Sequence, residues 1–95
     1  VTNWWMEPEF RKLVVLREDL ADVQHQIWAH WMKYLYSVSQ EYPDGSMMIP
    51  ANKAERWYRQ MHTDFADLTI KEQMSDFEQA DKVIKVVVGS QKESA

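Results

Sequence analysis

The sequence has no cysteine, only two glycines and three prolines, no long apolar run, and fewer basic than acidic residues. Each shortage excludes something. Without thiols there is no disulfide, no zinc–thiolate centre and no cysteine nucleophile. No glycine-rich phosphate loop, metal-ligand spacing or nucleophile motif is present either, so no catalyst and no cofactor is expected. The 11 Lys plus Arg against 15 Asp plus Glu leave a net charge of −4. That balance argues against a protein that grips long nucleic acid by neutralising phosphates. No segment approaches the roughly 20 apolar residues of a spanning helix. The opening VTNWWMEPEF shows neither a basic n-region nor a small-residue cleavage site, so a cytoplasmic location with no membrane partner is expected.

What is abundant is aromatic and thioether surface, with five tryptophans, four tyrosines and six methionines in 95 residues. Most of the chain follows helical spacing. EYPDGS, residues 41–46, reads as a turn centred on Pro43, Asp44 and Gly45. Pro50 is expected at the first position of a second helix, which Ala51, Ala54, Trp57, Tyr58 and Met61 carry to about His62. Thr69 and Glu72 match a capping box, so a third helix should start there and run to about Val88. Its VIKVVV run at 83–88 is β-branched, yet no second strand exists to pair with it, and it reads as a helix end. The predicted fold is all-α, a small bundle of three main helices in one domain. Residues 1–7 form an N-terminal arm, 8–89 the helical core and 90–95 a disordered tail.

The first helix carries more apolar surface than one neighbour can cover. At 100° per residue its apolar positions occupy an arc of roughly 240°, where a helix with one buried side needs a little over 100°. Trp31 and Leu35 at the centre are core candidates, while His25, Trp28, Met32 and Tyr36 lie toward one edge, where half-buried residues line grooves. His25 and His30 stand about 140° apart, which rules out an i, i+4 metal pair. On the third helix Phe77, Ala80, Val83, Ile84 and Val87 mark a buried face, and Asp76 falls inside it with Gln73. An inward carboxylate needs a partner, and His25, Arg59 or an indole N–H could provide one. The second helix sets Lys53, Arg56 and Arg59 against a single Glu55 beside Trp57 and Tyr58. Cations next to aromatic planes suit a nucleotide, with phosphate on arginine and base on a ring.

Two segments are similar to a known family. LADVQHQIW, residues 20–28, resembles the opening helix of the prokaryotic versions of the ryanodine-receptor repeat (RyR) domain, which reads L-x-E-x-x-H-E-x-W. DFADLTIKEQMSDFEQADKVIKVV, residues 64–87, is similar to its closing segment and sets Phe65, Leu68, Glu72, Asp76, Ala80, Ile84 and Lys85 on family positions. Phe77 stands where the family has arginine, and Asp64 where it has proline. The resemblance implies a small helical domain that binds nucleotide-like ligands in regulatory and defence settings. The compact format also looks like that of many short proteins encoded by phages and prophages, and such a stand-alone binder would be expected to sequester a nucleotide immune signal.

The leading expectation is therefore a non-catalytic, homo-oligomeric binder of a nucleotide-like molecule. Trp28, Met32 and Trp57 would form its walls, Arg56 or Arg59 would meet phosphate, and His25, Gln60 and Asp76 would make polar contacts, with Tyr36 at the edge. The alternative is a protein-interaction module without a small ligand, for which Trp4, Trp5 and Met6 are the anchors, since exposed tryptophans dominate many interfaces.

Overall fold

α1 (Arg11–Val38) contains no glycine or proline in its 28 residues, so nothing interrupts its backbone ladder. It stops at a serine pair. Ser37 Oγ donates to the Tyr34 carbonyl at 2.6 Å and Ser39 Oγ to that of Leu35 at 2.7 Å, so side-chain hydroxyls bond back onto carbonyls of the last turns. The computed structural model describes residues 11–94, with side chains through Gly89. The arm expected at 1–7, with Trp4, Trp5 and Met6, lies outside the described residues.

The predicted turn is present and closes a hairpin that the sequence pattern does not announce. β1 (Gln40–Glu41) pairs antiparallel with β2 (Met47–Met48), Gln40 opposite Met48 and Glu41 opposite Met47. Asp44 Oδ1 accepts the Ser46 N–H at 3.0 Å and its hydroxyl at 2.6 Å. Gly45 takes φ +89°, a conformation that residues with a Cβ rarely adopt. None of the four paired residues is β-branched or aromatic, so the turn chemistry and not strand propensity makes this ribbon.

α2 (Ala51–Met61) begins one residue later than predicted. Pro50 is its N-cap, with ψ 143°, and the Pro50 carbonyl accepts the first helical N–H groups, from Lys53 at 3.0 Å and Ala54 at 2.9 Å. A 3-10 turn at Phe65–Asp67 follows. Gln73 Nε2 donates to the carbonyls of Phe65 at 3.0 Å and Ala66 at 3.3 Å, and Phe65 meets Phe77 edge-on at 5.4 Å.

α3 (Ile70–Ser94) starts on the expected capping box. The Glu72 N–H donates to Thr69 Oγ1 at 3.2 Å, and Glu72 Oε1 accepts the Thr69 N–H at 3.1 Å. VIKVVV is helical, as expected. The helix then continues past Val88 to Ser94, because a lone glycine such as Gly89 weakens a helix by about 1 kcal/mol without ending it, and no proline follows.

Within the one domain expected, compactness is shared between two units. The first joins α1 up to Ile27 with α3 from Glu78. Val23 at 4 % and Gln79 at 7 % exposure are the buried residues among those described. Gln79 Oε1 accepts Lys82 Nζ at 2.8 Å, so its amide oxygen is satisfied. Val83 and Val86 flank it, half-buried. The face predicted as buried is therefore displaced around the helix. Of its members in this unit only Val83 is partly covered, while Ala80, Ile84 and Val87 are exposed. Periodicity locates an apolar arc, but not the part of it that a neighbour covers.

The second unit is Trp28–Phe77. Trp31 and Leu35, the expected core residues, are half-buried, as are Met32, Trp57, Gln60 and Leu68, and nothing in this unit is fully buried. Phe77, also expected inside, is exposed. Among the described residues no helix is long and apolar enough to cross a membrane.

Candidate functional site

Helical spacing within the second unit gathers a set of chemically distinct side chains. α1 presents Trp31, Tyr34 and Leu35 at i, i+3 and i+4, and α2 presents Lys53, Arg56, Trp57 and Gln60 on the same rule. The first turns of α3 add Lys71, Glu72, Ser75 and Asp76. Two cavities result. One, of about 410 Å³, is lined by Trp31, Met32, Tyr34, Leu35, Trp57, Gln60, Met61, Leu68 and Asp76. The other, of about 360 Å³, is lined by His30, Trp31, Tyr34, Lys53, Arg56, Trp57, Lys71, Glu72 and Ser75. Both fall in the size range of small-molecule sites, about 300–1,000 Å³. They share Trp31, Tyr34 and Trp57 as walls.

The two differ sharply in charge. In the second, Lys53 Nζ donates to Tyr34 Oη at 3.1 Å and Arg56 Nη2 to the same oxygen at 3.5 Å. Lys53 Nζ also lies 5.7 Å from the Tyr34 ring centroid, within cation–π range. The hydrogen bond from the Lys53 ammonium is the main reason that the Tyr34 phenol is held below the usual tyrosine range, with Arg56 adding to it. Tyr34 meets Trp57 edge-on at 6.2 Å, and His30 meets Trp31 edge-on at 4.8 Å. The one carboxylate of this lining, Glu72, is paired with Arg59. The Arg59 guanidinium first, and the Thr69 backbone N–H second, hold Glu72 down to about 2. Lys53, Arg56 and Lys71 thus share a cavity whose single acid is already engaged.

Several expected residues come together here. Met32, Trp57, Gln60 and Asp76 line the first cavity, and Arg56 with Trp57 lines the second. Others do not. His25 belongs to the first unit, and Trp28 and Tyr36, at 55 % and 61 % exposure, line neither cavity. Arg59, expected to meet phosphate or to pair Asp76, is instead bonded to Glu72. Asp76 is exposed and not part of a core, so it needs no protein partner because water reaches it.

No family model, no curated protein and no solved structure matches this chain.

Sequence reasoning missed Tyr34, Lys71 and the site role of Lys53. A signal existed for Lys53, since it shares a helical face with Arg56 and Trp57. None existed for Lys71 or Tyr34, whose roles depend on which helix faces which.

Proposed function

We propose that this protein is a non-catalytic binder of a nucleotide-like small molecule, with phosphate at Lys53, Arg56 and Lys71 and the base against Trp31 and Trp57. The observation that carries this reading is the convergence of Lys53 and Arg56 on one phenol oxygen, in a cavity walled by two indoles. A phosphate oxygen is a better acceptor for those cations than a phenol, because charge-assisted hydrogen bonds are about twice as strong as neutral ones. The RyR resemblance supports the ligand class and, with it, the proposal of a phage protein that sequesters a nucleotide immune signal.

The test is a thermal-shift panel of mono-, di- and cyclic nucleotides. A ligand at a hundred times its dissociation constant stabilises the folded state by about 2.7 kcal/mol, a clear rise in Tm for a chain of this size. Arg56→Ala should abolish the rise while leaving the helical circular dichroism unchanged, since Arg56 is exposed. A silent panel with the folded wild-type chain overturns the reading.

A second reading, self-association, draws on the first unit. Its two helix segments bury little, while Leu13, Val15, Ile84 and Val88 stay 41–56 % exposed. A second copy of the same pair would cover these residues in a four-helix arrangement around a two-fold axis. This reading is compatible with ligand binding and supports the expected homo-oligomer.

A further inference from the structure

The first cavity poses a narrower question, resting on the nucleotide reading above. Its lining is mostly apolar, and its polar residues besides the two indoles are Tyr34, Gln60 and Asp76. It shares Trp31, Tyr34 and Trp57 with the cationic cavity. The two cavities therefore adjoin, and on the nucleotide reading a ligand with its phosphate on Lys53 and Arg56 would place its base in the first cavity.

Among the described residues no hydrogen bond or ion pair of the protein engages the Asp76 carboxylate. A carboxylate accepts hydrogen bonds and donates none, so a base edge that meets it must offer donors. Two adjacent, parallel donors match its two oxygens. Guanine alone among the common bases has them, in N1–H and the 2-amino group. Adenine and cytosine each set a ring-nitrogen lone pair beside their amino group, which a carboxylate oxygen repels. Uracil offers one N–H between two carbonyls. Gln60 complements the same edge, because its amide can donate to the guanine O6.

We infer that the cavity lined by Trp31, Trp57, Gln60 and Asp76 takes a guanine base, with Asp76 accepting from N1–H and the 2-amino group. The two indoles give the ring its apolar cover, and Asp76 gives the selectivity. A base seated there displaces water from Asp76, so an analogue without the two donors leaves the carboxylate with no hydrogen bond in return.

The experiment is calorimetric titration of the full chain and of Asp76→Asn with GTP, ITP, XTP and ATP. The wild-type chain should prefer GTP over ATP by about tenfold to a hundredfold, the discrimination of one good bidentate contact. ITP, which lacks the 2-amino group, should fall between them. In Asp76→Asn the order of GTP and XTP should invert, since a carboxamide can donate to the 2-carbonyl of xanthine. Asp76 is exposed, so the variant should keep its fold, and the GTP–ITP comparison needs no variant. If all four bind the wild-type chain equally, the guanine inference falls while the nucleotide site stands. If none binds to the folded chain, both fall.

Discussion

At the scale of the residue, Tyr34 is the most informative side chain. Its hydroxyl accepts from Lys53 and Arg56 at once, and that pairing favours the phenolate. Followed by ultraviolet absorbance, Tyr34 should ionise at lower pH in the wild-type chain than in Lys53→Ala. An unmoved titration would mean that the ammonium does not sit on that oxygen in solution. Glu72 supplies a second residue-scale outcome. Its folded-state value of about 2 lies below its ordinary 4.5, so its contribution to stability is complete above about pH 4.5 and is lost as pH falls through 2. Denaturant titrations between those limits should show the wild-type chain losing stability that Glu72→Gln does not lose. The loss should be modest and weaker at high salt, because the Arg59 side chain is 47 % exposed.

Elements were the most legible scale. The Thr69–Glu72 box, the Asp44–Gly45 turn and the helical fate of VIKVVV all follow from chemistry that acts within four residues along the chain. Where the reading erred, the error was also local in origin. Pro50 suits a first helical position as well as a cap, since its ring fixes φ and not ψ. Gly89 resembles a stop signal but sits inside α3, and a Cβ built there meets nothing within 4 Å. Gly89→Ala should therefore stabilise the protein by about 0.5–1 kcal/mol through helix propensity alone. Chemical denaturation would register a higher midpoint at an unchanged slope.

At the scale of the whole molecule, exposed apolar surface is the dominant feature. In the first unit Ile84 stands 56 % exposed and Leu13 44 %, on helix segments that hold one buried apolar residue between them. If a second copy covers them, Ile84→Lys should lower the apparent mass in light scattering and leave helix content unchanged, whereas a wild-type chain already monomeric at high concentration would end the self-association reading.

By itself the amino-acid order determined three helices, the cap of the third, one turn, an acidic chain and the residue types of a cationic, aromatic cavity. These depend on hydrogen bonds and periodicity whose reach is a few residues. Only the tertiary structure decided that Arg59 is committed to Glu72, 13 residues away, and that Lys53 and Arg56 meet Tyr34 across 19 and 22 residues. It also placed Asp76 at an apolar cavity in place of a core. Helical period states which side chains share a face, but the partner of that face is set by packing between distant segments.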